Sequence, residues 1–216
     1  MTSHTAAGWR GNSATELASV AAFGHVALEL VALGSPPELL EATHQDALDE
    51  VRHARICYGI AQSFDGRAMG PAPFPAALLP PERPTTVRAV CTDAVKESAW
   101  LELASAMAAV RLAEHPDLPD SVREALQSIA ADEARHAAHG REVAAWCVAQ
   151  EGSGLAADML ALCTEFDVEH HVPRAPSGLG AYGLADSALW RKCMRDAHSE
   201  VLAWLEVMVR AETVTA

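Results

Sequence analysis

ALDEVRHA, residues 47–54, returns 83 positions later as AADEARHA, residues 130–137, with six of the eight residues identical. Each copy contains the pattern Asp-Glu-x-Arg-His. In a helix, residues three apart are neighbours on one face, so each copy presents a glutamate and a histidine side by side. The repeat therefore predicts two helices that carry the same pair of side chains.

The residues around each copy predict that both pairs face a protein core. Stepping from Glu133 at helical spacing gives a mostly apolar stripe of Val122, Leu126, Ile129, His136, Gly140 and Ala144. The stripe around Glu50 has smaller residues and is also mostly apolar: Leu39, Thr43, Ala47, His53, Ala54, Cys57 and Ala61. Because a buried carboxylate without a partner is costly, two such sites indicate a compensating cation.

The periodicity of apolar residues predicts an all-α protein, and no alternating strand pattern of useful length occurs. Gly34 is a stop signal after the first helix, and Ser35 with Glu38 predicts a capping box at the start of the second. The six predicted helices span about 14–33, 36–63, 86–114, 121–150, 155–168 and 186–212.

The lengths of the connections predict how these helices are arranged. Helices one and two are joined by very few residues, as are helices three and four, so each pair should form an antiparallel hairpin. Residues 64–84 contain six of the twelve prolines and are long enough to run the length of a helix. We expect a single domain over 1–216, in which a four-helix bundle, 12–150, is followed by two helices in a C-terminal extension, 151–216.

Each hairpin should supply one more carboxylate from its first helix. Glu16 is in line with the apolar residues Val20, Phe23, Ala27 and Leu30, and Glu97 is in line with Val90, Leu101, Ala104 and Ala108. The two glutamates precede those of the repeats by 34 and 36 residues. Glu29 and Glu102 compete with them but lie well round their helices from the apolar stripe, so the pattern favours Glu16 and Glu97.

At these positions the sequence resembles the ferritin-like diiron-carboxylate superfamily. That arrangement takes a glutamate from each of two helices and a Glu-x-x-His pair from each of the other two. The resemblance covers about residues 12–150 and implies a ferritin-like bundle with the metal ligands Glu16, Glu50, His53, Glu97, Glu133 and His136. It also implies two iron ions, with manganese as the alternative, because carboxylates with one imidazole per metal suit either better than zinc.

The charged residues within each repeat are expected to support these ligands from outside. Asp49 and Asp132 precede the glutamates of the repeats, and each could accept the free ring N–H of the histidine on the opposite hairpin. Arg52 and Arg135 could pair with those aspartates. By contrast, we expect His139 to be exposed or to cap a helix, and Cys57 to serve in packing.

The resemblance implies an enzyme that activates O2 and hydroxylates, desaturates or N-oxygenates a small organic substrate. The Asp-Glu-x-Arg-His form is similar to that of the diiron oxygenases, and the extension offers material for a substrate pocket. Electrons should come from an external ferredoxin or flavin reductase, since the chain has neither a flavin motif nor a Cys-x-x-Cys pair. The alternatives are a ferroxidase or iron-storage protein, a metal-free helical scaffold, and a hydroxylase acting on tRNA.

The composition of the chain limits the classes of partner that it is expected to bind. The chain of 216 residues has 29 acidic and 16 basic residues, a net charge of −13, which argues against nucleic acid and an anionic membrane as partners. The longest uncharged helical run, 17–28, is shorter than the ~20 residues of a membrane span. Five scattered cysteines and the absence of a signal-peptide pattern are typical of a reduced cytoplasmic protein, and a homodimer is compatible with the sequence.

Overall fold

The computed structural model describes residues 2–73, 75, 84–152 and 154–215. All regular structure within those ranges is helical, which confirms the predicted all-α class. The elements are α1 (Thr2–Leu33), α2 (Pro37–Asp65), α3 (Val87–Asp93, Ala94–Glu102 and Leu103–Ala113 in succession), α4 (Asp120–Glu151), α5 (Leu155–Thr164), α6 (Val168–His171), a 3₁₀ turn (Gly180–Tyr182) and α7 (Ser187–Thr215).

The turn between α1 and α2 differs in detail from the prediction. Gly34 adopts the left-handed conformation, with φ of 70°, and ends α1 as expected. The Ser35 N–H then donates to the Leu30 carbonyl at 3.0 Å and closes the turn. Pro36 occupies the N-cap of α2 without a side-chain hydrogen bond, so the predicted capping box of Ser35 is wrong. Ser35 closes α1 instead of opening α2, and Glu38 lies in the first turn of α2.

The first two helices form an antiparallel hairpin. At one end, Arg10 near the start of α1 is paired with Asp65 at the end of α2, with 2.8 Å between Nη1 and Oδ2. Further along, the Ser13 hydroxyl donates to the Ala54 carbonyl at 3.1 Å. Helix α1 begins at Thr2, twelve residues before the predicted start at Ala14, and this extra length supplies the ion pair with α2.

Helices α3 and α4 form the second antiparallel hairpin. Cys91 near the start of α3 lies 3.9 Å from the Ala144 carbonyl in the second half of α4. At the other end, the Arg123 guanidinium in the first turns of α4 donates to the Ala113 carbonyl at the end of α3. Both predicted hairpins are therefore present.

Two apolar clusters divide the interior into an upper and a lower part. The lower cluster combines the start of α1, the end of α2, the end of α3 and the start of α4, and includes Trp9, Ala61, Leu112 and Val122. The upper cluster contains Leu30, Val90 and Cys147 together with residues of α5 and α7. Since α2 ends in the lower part and α3 begins in the upper part, residues 66–86 must connect the two. Residues 76–83 of this proline-rich crossover lie outside the described residues.

The C-terminal helices pack on the second hairpin. The Trp100 indole of α3 is 1% exposed and donates to the Met194 carbonyl of α7 at 2.9 Å. The predicted fifth helix, 155–168, ends earlier at Thr164, and α6 follows as a separate turn in which Asp167 accepts the N–H of Glu169. The extension therefore contains the two expected longer helices, α5 and α7, and the short α6 between them.

The middle of α3 is a nine-residue π-helix, Ala94–Glu102, in which hydrogen bonds span five residues instead of four. Gly140 of α4 lies directly against it. A Cβ atom at Gly140 would come within 2.8 Å of the Ala99 nitrogen and 2.9 Å of the Ala94 carbonyl oxygen. The wider turn and the missing side chain together allow α3 and α4 to approach closely beside the repeat.

A loop, residues 172–186, crosses the lower end of the bundle. The Trp9 indole of α1 donates to the Tyr182 carbonyl at 2.9 Å and holds the loop in place. Gly183 has φ of 76° and no room for a side chain, because a Cβ atom there would lie 2.7 Å from Val122. This loop forms one wall of the cavity described below.

By length and composition, α1 is the one helix in the described ranges that could cross a membrane. Core helices and secretory leader segments have the same properties. The helix packs against α2, and the cytoplasmic location stays a prediction.

Candidate metal centre

The two repeats meet in the middle of the molecule. Glu50 and His53 of α2 face Glu133 and His136 of α4, and all four side chains are buried. The Nδ1 atom of His136 lies 3.2 Å from Oε1 of Glu50, and the Nδ1 atom of His53 lies 3.7 Å from Oε1 of Glu133. Both imidazoles thus direct the same ring nitrogen toward a shared pair of carboxylates.

Two further glutamates complete two groups of four. In each group, one ligand atom from every residue lies within 4.8 Å of the others. The groups are Glu16, Glu50, His53 and Glu133, and Glu50, Glu102, Glu133 and His136. Because Glu50 and Glu133 belong to both groups, the arrangement has two adjacent positions for a metal with two carboxylates in common.

The structure brings Glu102 into the second group, in place of Glu97 that the sequence pattern favoured. Glu97 is exposed, and Glu102 is half-buried and turned toward the Glu50–Glu133 pair. The prediction stepped along α3 at 3.6 residues per turn. The π-helix makes wider turns, so the residues at its end are rotated relative to that projection. Glu16 and the four repeat residues lie where the sequence places them.

Several donor atoms at the centre have no hydrogen-bond partner among the described residues. Both carboxylate oxygens of Glu50, Oε2 of Glu133, and the Nδ1 atoms of His53 and His136 are buried without a hydrogen bond to any described residue. Buried polar atoms are rarely left in this state because their desolvation is not compensated. A bound cation would satisfy all of them, and oxygen and imidazole donors fit iron or manganese. The residues present therefore fit a metal cluster.

The electrostatics of the centre reflect four carboxylates in one buried space. Burial, reinforced by the charges of Glu133 and Glu50, raises the pKa of Glu16 to about 10. Burial and the same two carboxylates raise the pKa of Glu102 well above its usual range. Burial would also raise the pKa of Glu50, but the adjacent rings of His136 and His53 lower it to about 2. Cations at the centre would relieve this repulsion.

The remaining charged residues of the repeats form a closed ring of ion pairs. Asp49 is paired with Arg52 at 2.8 Å, and Asp132 is paired with Arg135 at 2.9 Å, each within one helix. Arg52 also contacts Asp132, and Arg135 also contacts Asp49, so the ring joins α2 to α4. The arginines are about half exposed, and the ring therefore lies between the histidines and the surface.

The aspartates of the ring lie at different distances from the two histidines. The Nε2 atom of His53 lies 3.1 Å from Oδ2 of Asp132, a hydrogen-bond distance, as expected from the sequence. The Nε2 atom of His136 lies 3.7 Å from Oδ2 of Asp49, too far for a hydrogen bond. Burial would raise the pKa of Asp132, but contacts with His53, Arg135 and Arg52 outweigh it and lower the pKa to about 2.

Sequence reasoning missed two residues beside His136. Asp46 of α2 is 1% exposed, and Oδ1 of its carboxylate lies 3.6 Å from Nε2 of His136. Its Oδ2 atom lies 2.6 Å from Nδ1 of His139, which is 6% exposed, so the expectation of an exposed or capping His139 is wrong. Their spacing in the sequence could have predicted this position. Asp46 is four residues before Glu50, and His139 is three residues after His136, so each lies on the same helix face as a buried residue of the repeat.

Asp46, Asp49 and Nε2 of His136 form a third group with metal-like spacing. Its two carboxylates already have partners, because Asp49 is paired with both arginines of the ring and Asp46 with His139. The carboxylates of the first two groups are not compensated in this way. The third group is therefore better described as support for His136 than as a further metal position.

A cavity of about 870 Å³ adjoins the centre. Glu16, Glu102 and Glu133 line its inner end, and Glu97 also lines it. Most of the remaining wall is apolar, with Trp9, Phe23, Val26, Leu101, Leu112, Leu126, Ile129, Leu184, Trp190 and Met194. The cavity thus reaches the carboxylate side of the centre, opposite the ring of ion pairs.

Cys57 lies in the wall of this cavity, close to the glutamates. Burial and the charges of Glu16, Glu50 and Glu133 raise the pKa of its thiol far above the usual range. A neutral thiol is a poor nucleophile and metal ligand, which agrees with the packing role expected from the sequence. None of the five cysteines takes part in a disulfide within the described ranges.

Comparison with protein-family models, with curated proteins and with solved structures found no match to this chain.

Proposed function

We propose that the protein is a non-haem diiron oxidase or oxygenase with a ferritin-like bundle. One observation carries the proposal: two groups of four donors, three of them buried in each group, share Glu50 and Glu133 and lie beside a mostly apolar cavity. Glu16 and His53 would complete the first iron position, and Glu102 and His136 the second. Two hairpins, a crossover and Glu-x-x-His pairs on α2 and α4 support the bundle assignment.

The chemistry of the donors favours iron, with manganese as the alternative. Carboxylate and imidazole donors suit both metals, and four carboxylates balance the charge of two divalent ions. When bound, two ferrous ions supply the two electrons that activate O2 for oxidation of an organic molecule. An external ferredoxin or flavin reductase would restore the ferrous state in each cycle.

The cavity favours an enzyme over a ferroxidase or storage protein. Its volume lies in the range of pockets that bury a small organic molecule, and its wall is mostly apolar. Such a pocket orients a substrate against the carboxylate side of the centre and excludes water there. Iron ions, as the cargo of a storage protein, would need a polar path instead.

Metal binding is the first experiment. We expect anaerobic titration of the purified protein with Fe²⁺ to give two ions per chain, and Glu133→Gln to remove at least one. Glu124→Gln is the matched control, because Glu124 is an exposed carboxylate on the same helix. Fewer than one ion per chain in the unsubstituted protein would contradict the proposal.

Oxygen chemistry is the second experiment. Stopped-flow mixing of the ferrous protein with O2, with a panel of apolar small molecules, should show O2 consumption that is faster with a substrate. Isotopically labelled O2 then shows by mass spectrometry whether oxygen enters the product. Rapid oxidation of many ferrous ions per chain by a cage-sized particle would support the storage function instead.

A further inference from the structure

The two repeats differ at the positions that flank them on the core side. Four residues before the glutamate, the first copy has Asp46 and the second has Ile129. Three residues after the histidine, the first copy has Ile56 and the second has His139. The two polar residues come from different copies, yet they meet beside the same histidine.

These polar residues form a buried chain of contacts. The Nδ1 atom of His139 lies 2.6 Å from Oδ2 of Asp46, and Oδ1 of Asp46 lies 3.6 Å from Nε2 of His136. All three residues are at most 6% exposed. The position equivalent to Asp46 in the second repeat is Ile129, and the position equivalent to His139 in the first repeat is Ile56. Packing alone therefore does not require a polar pair here.

The two histidines therefore need different partners for the ring nitrogen that points away from the centre. Nε2 of His53 has Asp132, and that carboxylate is fixed by Arg52 and Arg135. Nε2 of His136 is buried and has no hydrogen-bond partner among the described residues, with Asp46 and Asp49 both just beyond hydrogen-bond distance. Oδ1 of Asp46 is the nearer of the two oxygens, and His139 holds Oδ2 of the same carboxylate, so Asp46 is placed to act as the acceptor.

We propose that Asp46 and His139 are positioning residues that orient His136 and give the second metal position surroundings different from those of the first. His139 holds one oxygen of Asp46 and directs the other toward Nε2–H of His136. Nδ1 of His136 then stays free to bind metal between Glu50 and Glu133. This proposal rests on the two-metal site proposed above.

The test is anaerobic titration with Co²⁺ alone, followed by its visible absorption. We expect two binding steps in the unsubstituted protein. Asp46→Asn should weaken one step by about 10–100-fold, the usual effect of removing an outer partner of a metal-bound histidine, and should alter the spectrum of that step. Asp132→Asn should weaken the other step instead, because Asp132 supports His53.

Two variants at His139 separate positioning from stability. His139→Leu removes the donor and keeps much of the volume, so it should behave like Asp46→Asn. His139→Asn keeps an N–H close to the place of Nδ1 and should largely restore the weakened step. Thr43→Val is the matched control, since Thr43 is fully buried on the same helix and its hydroxyl donates only to the Leu39 carbonyl. It should leave both steps unchanged, and circular dichroism should show folded helices throughout.

Three results would overturn the proposal. In the first, Asp46→Asn titrates like the unsubstituted protein. In the second, it weakens the same step as Asp132→Asn. In the third, it weakens both steps and Thr43→Val does the same, which is a loss of structure. If the unsubstituted protein binds fewer than two ions, the two-metal function itself fails, and the positioning of its second site fails with it.

Discussion

A difference of five residues decides which glutamate of α3 can bind metal. Glu97 and Glu102 are both in the π-helix, but only Glu102 comes within reach of Glu50, Glu133 and His136. Glu97 lines the cavity and is exposed. The candidate metal centre therefore depends on the local backbone of α3 as much as on residue type.

This placement gives a direct test with a built-in control. Loss of a residue that supports a metal ligand typically weakens metal binding by about 10–100-fold. Glu102→Ala removes a direct donor, so it should weaken binding of the second Fe²⁺ by at least that much. Glu97→Ala should bind two ions with unchanged affinity. Isothermal titration under anaerobic conditions measures both. The opposite pattern would mean that Glu97 reaches the centre in solution.

The Arg10–Asp65 pair predicts how stability depends on pH. Its guanidinium and the backbone N–H of Arg67 lower the pKa of Asp65 to about 2, below its value in an unfolded chain. The pair therefore stabilises the folded state at neutral pH, and this contribution is lost as the pH falls from about 4 to about 2. Asp65→Asn should lower the free energy of unfolding at pH 7.

Urea unfolding at a series of pH values measures this difference. The unsubstituted protein and Asp65→Asn should converge as the pH falls through about 2. Asp158→Asn is the comparison, because Asp158 forms an exposed pair with Arg88 at 2.7 Å. A pair of that kind contributes little, so its effect at pH 7 should be smaller. An Asp65→Asn difference that persists at low pH would contradict the argument.

Among the helices, α3 shows most clearly how one element is shaped by another. Gly140 on α4 has the Ala94 and Ala99 backbone and the Ser98 side chain within 3 Å of where a Cβ atom would lie. Those three residues all belong to the π-helix. The π-helix of α3 is thus the segment that packs against α4 at Gly140, and its last residue is Glu102.

Gly140→Ala should consequently destabilise the protein, although alanine is the better helix former. Overpacking against a backbone that cannot move aside costs about 1–3 kcal/mol. It should also weaken the second metal step, because the displaced segment carries Glu102. Gly59→Ala on α2 is the control: nothing lies within 4 Å of a Cβ atom there, so it should stabilise by about 1 kcal/mol. Thermal unfolding and Fe²⁺ titration distinguish the two.

The sequence predicted the elements well wherever local signals decide them. Apolar periodicity identified the long helices, and the repeat identified Glu50, His53, Glu133 and His136 as a buried set. The π-helix was not predicted, because the apolar pattern of α3 was projected at 3.6 residues per turn and contains no signal for a wider turn. The buried Asp46–His139 pair was missed because each residue alone looks like part of a polar face.

At the scale of the whole molecule, the cavity joins the bundle to its C-terminal extension. Its walls come from α1, α3 and α4, from Cys57 of α2, from the loop that Trp9 holds, and from Trp190 and Met194 of α7. The extension therefore closes a space that the two hairpins leave open. An apolar substrate would contact both parts.

Filling this space should separate substrate binding from metal binding. Ser105 lies in the cavity wall on α3, so Ser105→Phe should block an apolar fluorescent dye and any substrate while two Fe²⁺ ions still bind. Val110→Phe is the control on the same helix, since Val110 is 50% exposed and outside the cavity wall. Dye fluorescence and metal titration check the result. Equal dye binding by both variants would show that the cavity is not the binding site.

The crossed ion pairs have the form of an isologous contact between two identical halves. Arg52 of one repeat meets Asp132 of the other, and Arg135 meets Asp49, so each contact has a counterpart under exchange of the halves. A hairpin that associated with its own copy would make this contact, and every substitution would then appear twice. A single chain that encodes both halves is free of that restriction. Asp46 and His139 are one-sided differences of this kind, which a symmetric pair of identical hairpins could not carry.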